Sequence, residues 1–171
     1  VVHTTAEPVV VATDPASLSA RDLAAFSPEQ ISSLSPAALA VLRPQAVGAL
    51  SPDQMRALSP DQVRMLSPAA VRRLSASCMS AMSAVQLREM RVAALANLTK
   101  RQWQALGERT VRGLRPDTVR RLPTATVRRL PPQSLHALRP SQLRALSPRQ
   151  ARALTPAQLR ALTPRQAAWL P

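Results

Sequence analysis

An eight-residue repeat, unbroken by any gap from 18 to 169, limits what this chain can fold into more than any other feature. Its clearest stretches read LSPDQMRA, LSPDQVRM, LSPAAVRR over 50–73 and LRPSQLRA, LSPRQARA, LTPAQLRA, LTPRQAAW over 138–169. With each unit started at its leucine, nineteen octads follow one another. The first position is Leu in sixteen of them and Phe26, Met82 or Met90 in the rest. The sixth position is apolar in every octad, Ala151 and Ala167 being small, and the third is proline in twelve. A period this short and regular describes one local unit that stacks on its own copies.

The octad spells out the start of a helix. Ser or Thr at position two is a good N-cap, because its oxygen accepts a backbone N–H of the first turn. Proline at position three occupies N1, where its missing N–H costs nothing and its fixed φ suits the helix. Glutamine at position five is N3, the second half of a capping box. Positions one and six are N′ and N4, the partners of a hydrophobic staple. Leu50, Ser51, Pro52, Gln54 and Met55 carry one complete signature, and Leu154, Thr155, Pro156, Gln158 and Leu159 another. Asp53 and Asp61 fall at N2, where a negative charge suits the helix N-terminus.

Because the signature returns every eight residues, each helix must stop before the next begins, and proline pushes the residue before it out of the helical region. That leaves room for about one and a half turns per octad. Helices so short do not persist alone, so neighbours must share a core. The predicted fold is all-α: a solenoid or superhelix of very short helices with an 8-residue repeat. Its inner wall is built from positions one and six, and alanine at position eight fills gaps. Three aromatic residues and three glycines argue against a sandwich or barrel. Seventeen prolines raise the competing picture of a disordered chain, which the 46% apolar content and the fixed placement of leucine oppose.

The pattern bends over 74–113, where position three holds Ala76, Ala84, Val92, Lys100 and Glu108 instead of proline. Nothing there forces a stop, so 83–98 is free to run as one longer helix. Cys78, Met79, Met82 and Met90 gather in this stretch, as filling for an irregular core or as an adaptable methionine-lined surface. Residues 1–17 do not fit the octad and read as a linker or N-terminal extension; 18–171 is the octad array. Leu170 and Pro171 look like the opening of a further octad, and the chain, which starts at Val1, reads as an excerpt of a larger protein. No apolar run is long enough to span a bilayer.

Catalytic constellations are hard to assemble from this inventory. His3 and His136 with a single Cys78 give no metal-site spacing and no internal disulfide. Cys78 is expected to be a small, half-buried residue. Gly48, Gly107 and Gly113 are isolated and form no phosphate loop. No enzyme activity and no cofactor are expected.

Charge is the feature that points outward. Residues 1–85 hold six arginines and six acids, whereas 86–171 hold seventeen Lys or Arg and three acids, so the net +14 lies in the second half. Position seven carries Arg56, Arg64, Arg72, Arg88, Arg112, Arg120, Arg128, Arg144, Arg152 and Arg160, and position eight adds Arg73, Arg121 and Arg129. If one octad position maps to one line on the surface, these form a cationic ridge suited to a linear polyanion. The candidate contacts are Arg88, Arg112, Arg120, Arg121, Arg128, Arg129, Arg144, Arg152 and Arg160. The competing reading is a solvated face that only keeps the outside polar.

The LSPxQL and LTPxQL octads resemble the short-helix repeats of the mesothelin, stereocilin and otoancorin group, and the LTxxQ octads of large bacterial secreted or surface proteins. The resemblance covers 18–171 at the level of pattern. It implies a superhelical, secreted or cell-surface interaction scaffold. LTPAQ over 154–158 is also similar to the start of repeats in DNA-binding TAL effectors, but their repeat is several times longer and carries a base-reading loop that has no counterpart here.

Two functions follow as expectations. The first is a non-enzymatic scaffold or spacer in a larger secreted protein, with a protein partner. The second is polyanion binding, to nucleic acid or an anionic glycan, through the arginines of 86–171. Self-association is a third theme, because an array with uncapped ends can stack head to tail.

Overall fold

A computed structural model describes residues 14–171. Most of the predicted linker, residues 1–13, lies outside the described residues. Its last residues form a single 3-10 turn, Pro15–Ser17, capped by Asp14, and this turn packs against the helix Pro36–Val41.

Every octad folds into one helix. Nineteen α-helices of four to six residues follow one another among the described residues, with no strand between them. In most octads the position-one residue closes the helix with an extended backbone (Leu58 at φ −62°, ψ 131°), in others the helix ends one or two residues sooner, as at Ala137 and Gly48, and position two stands at the N-cap of the next. Full capping boxes form at Ser51 with Gln54, Ser83 with Gln86 and Thr155 with Gln158, among others. In the first octad Asp22 takes the glutamine's place. The Ser19 hydroxyl and backbone N–H both donate to its carboxylate, at 2.7 and 2.9 Å, and hold it below its ordinary pKa.

The longer helix that the sequence allows over 83–98 is not formed. Ala84–Glu89 and Val92–Asn97 are separate, broken at Met90 with ψ 137° and at Arg91, which supplies no capping side chain. Packing explains the break. Eight residues of continuous helix rotate the side chains by about 80° beyond two full turns, which would carry Leu95 away from the wall that Leu87 joins. The corner at Met90 restores both to the core, where both are fully buried. Proline is therefore one way of making the corner, and burial of the first position is sufficient without it.

Helices three octads apart pack on one another: Pro28–Ser33 on Pro52–Ala57, Pro36–Val41 on Pro60–Met65, Pro68–Arg73 on Val92–Asn97. Positions one and six form a single continuous core, from Leu18 and Leu23 through Val63, Leu66 and Trp103 to Leu154 and Leu162. Position five is buried as well in most octads, Asp22, Gln30, Thr110, Thr118 and Gln166 excepted. The side-chain amide of Gln54 donates to the carbonyls of Leu23 and Phe26 at 2.8 and 2.7 Å, residues 31 and 28 places earlier. Gln62, Gln86, Gln102, Gln142, Gln150 and Gln158 repeat that reach. Each glutamine thus satisfies carbonyls that a helix end leaves open one superhelical turn below. With helices stacked on the octad three before and glutamines reaching the corner just beyond it, a turn takes between three and four octads.

Cys78, expected to be half-buried, is fully buried and fills the glutamine position, its Sγ lying 2.9 Å from the Leu50 carbonyl oxygen. The methionines of the same stretch, Met79, Met82 and Met90, are likewise core residues. Stacking thins between octads 10–11 and 13–14. Thr118 and Thr126 stand there at position five, too short for the same reach, and the indole N–H of buried Trp103 has no partner among the described residues.

Candidate functional site

The outward positions of the octad are two, four and seven. All ten position-seven arginines are exposed, as are Arg73, Arg121 and Arg129. The superhelical turn decides which of them are neighbours. A position-seven side chain winds around the axis from octad to octad, and its nearest counterpart on the next turn is the third octad on, 24 residues away, so files inclined to the axis connect every third octad. One file carries Arg64, Arg88, Arg112, His136 and Arg160; a second Arg72, Arg120 and Arg144; a third Arg56, Arg128 and Arg152. Of the nine predicted contacts, then, Arg88, Arg112 and Arg160 share a file. Arg120 and Arg144 share another, with Arg121 beside Arg120. Arg128 and Arg152 share the third, with Arg129 beside Arg128. The structure spreads them over three lines rather than the single ridge expected from one position per octad.

Position two adds residues that reading by octad position alone overlooked. Ser or Thr caps twelve octads, but Arg43, Arg91, Arg115 and Arg139 stand in its place in four. None of these four uses its side chain as a helix cap through a carboxylate or hydroxyl oxygen, since a guanidinium only donates. All four lie in one file, separated by multiples of 24. Position two follows position seven of the preceding octad by three residues. Arg88 and Arg91, Arg112 and Arg115, and His136 and Arg139 therefore flank successive corners of the same edge.

These corners line three adjoining depressions that share arginines. Arg64, Arg88, Arg91, Arg115 and Arg121 surround the first together with Glu89. Arg88, Arg112, Arg115 and Arg139 line the next, beside Gly113 and Pro116. Arg112, His136 and Arg139 line the third with Trp169. Gly113 permits the close approach of turns here, because a Cβ on it would lie 2.6 Å from the Ala84 carbonyl oxygen.

Acidic partners are few. Glu89 pairs with Arg115 and lies 4.0 Å from the Arg88 Nε; Glu108 sits 3.3 Å from Arg112, and Asp117 3.9 Å from Arg121. Among the described residues no carboxylate lies within 4 Å of Arg64, Arg91 or Arg139. The other guanidinium contacts on this edge go to neutral groups: Arg91 to the Met65 sulfur at 3.4 Å, and Arg112 Nε to the Ala137 carbonyl at 3.1 Å. The edge is a strip of solvent-facing cations in positive excess, held by rigid corners.

Residues 135–171 match the ALTTAQ repeat family. The match falls on the octads themselves: residues 153–158 read ALTPAQ, the position-eight alanine, the buried leucine, the cap, N1, N2 and the bridging glutamine. The protein is a repeat protein on both counts, sequence and architecture. No curated protein matches the chain. No helix among the described residues is long and apolar enough to cross a membrane.

Proposed function

We propose that this chain is a non-enzymatic scaffold within a larger, bacterial secreted or cell-surface protein, where it works as a spacer and as a surface on which a protein partner is held. The observation that carries this reading is the division of labour within the octad. Positions one, five and six build a core that runs from octad to octad and position two caps the helix, so positions four and seven are left to vary at little cost to the fold. A solenoid built this way offers a long outer surface rather than a closed pocket. Side chains of reactive type have structural contacts: Cys78 meets the Leu50 carbonyl, the His136 ring nitrogen lies 2.9 Å from the Ala161 carbonyl, and Asp22 closes a capping box. The resemblance to superhelical repeats of secreted proteins supports the location.

Turns of stacked helices rise by about 8–10 Å, so nineteen octads at between three and four per turn span about 50 Å. Dyes attached at Ser19→Cys and Ala168→Cys, in a Cys78→Ser background, test the scaffold. Energy transfer should report one narrow distance that does not change with salt. A broad, salt-sensitive distribution like that of a flexible coil would overturn it.

A further inference from the structure

We propose that the edge formed by Arg64, Arg88, Arg91, Arg112, Arg115 and Arg139 binds the phosphate backbone of duplex DNA without reading its sequence. This inference rests on the scaffold reading, because only the superhelical turn brings these residues together.

The first support is a conflict between local stability and what the sequence does. At position two the helix start favours Ser or Thr, and twelve octads have it. Seven octads give it up: Gly107, Pro123 and Pro131 stand in two of the files, whereas the four arginines Arg43, Arg91, Arg115 and Arg139 all fall in the third. Where the cap is replaced by arginine along one line of the surface and by arginine nowhere else, the line carries a requirement other than folding. The second support is continuity: Arg88, Arg112, Arg115 and Arg139 are each shared between adjoining depressions, so the cations follow one path for several turns.

The shape and chemistry of the path select the partner. A strip one or two guanidiniums wide and several turns long fits a linear polymer rather than a compact ligand. The cations are arginines, whose planar forks match phosphate oxygens in pairs. Trp169 is the one aromatic residue on the path, at its end, so the bases of a single strand would find nothing to stack on along most of it. Backbone recognition of a duplex needs no stacking, and a duplex presents one charge per about 1.7 Å of its axis. Glu89 and Glu108 lie beside the strip, and each leaves its arginine with donors to share.

Binding of the full chain to a short duplex of random sequence, followed by fluorescence anisotropy over a salt series, tests this. The decisive variant is Arg91→Ser, Arg115→Ser, Arg139→Ser, which installs the cap residue that other octads use and so leaves folding intact. The control is Arg120→Gln, Arg128→Gln, Arg152→Gln, which removes the same charge from the other two files. The first variant should bind at least about tenfold more weakly, with the slope of log affinity against log salt reduced by about 3 at about 0.9 per lost phosphate contact. The control should stay within about threefold of the parent. Equal losses in both variants would overturn the edge in favour of diffuse charge. Preferential binding of heparin over DNA would overturn the choice of polymer, and no binding at low salt would overturn the proposal outright. Circular dichroism of each protein separates these failures from that of the scaffold. A helical, cooperatively melting chain that ignores DNA sinks the edge alone, whereas a coil spectrum sinks both.

Discussion

The side chain of Gln102 faces two ways. Its Oε1 accepts from the Thr99 backbone N–H at 2.8 Å, and its Nε2 donates to the carbonyls of Val71, Arg72 and Leu74 at 2.8, 3.3 and 2.8 Å. The first bond is legible in the sequence, because its two ends lie three residues apart and the capping box is a local rule. The second is not, because the acceptors lie 28 to 31 residues upstream and their position depends on how many octads make a turn. Gln102→Ala leaves those buried carbonyls unpaired and is expected to cost about 1–3 kcal/mol in denaturant unfolding. Ala38, Ala46, Ala70 and Ala94 occupy position five elsewhere, so the fold itself survives. Gln102→Glu should cost more near neutral pH, since a carboxylate would face carbonyl oxygens with nothing to donate. Its folded pKa is then raised above the unfolded value, so the deficit shrinks as pH falls below that raised pKa and the proton restores a donor. Unfolding free energies of both variants within about 0.5 kcal/mol of the parent at neutral pH would show that the amide bonds do not matter.

At the scale of the element, the octad is a corner plus a stub of helix. Twelve prolines announce the corner in the sequence, and the absence of proline at position three over 74–113 leaves it free to fail there. It does not fail, because the corner is set by two things at once: the local start signal, and the burial of Met82, Met90, Leu98 and Leu106 against turns already formed. Only the first is visible residue by residue. If burial in register is what fixes the corner, whole octads are interchangeable and fractions of octads are not. Deleting 58–65 should leave a cooperatively melting helical protein, with its circular dichroism signal reduced in proportion to length. Deleting 62–65 sets leucines against glutamine positions through the following turn, and should abolish much of the helix signal and the cooperativity. Similar melts for the two deletions would contradict this.

The whole molecule is a spiral in which chemistry is sorted by the turn. The excess of positive charge in 86–171 and its concentration at position seven are plain in the sequence. Their division into three files, and the alignment of Arg91, Arg115 and Arg139 with Arg88 and Arg112, are not, because the octad alone leaves the number of units per turn open. That number is settled by long-range contacts: helices stacked three octads apart and glutamines reaching the corner beyond. It is the quantity on which the core, the glutamine ladder and the arginine edge all depend. Selective labelling of glutamine side chains, read by nuclear Overhauser contacts from their amide protons, measures it most directly. The Nε2 protons of Gln86 should show contacts to Met55 and Leu58, those of Gln102 to Val71 and Leu74, and both should exchange slowly with water. Contacts confined to each glutamine's own octad, with exchange as fast as in an unfolded peptide, would contradict the superhelix.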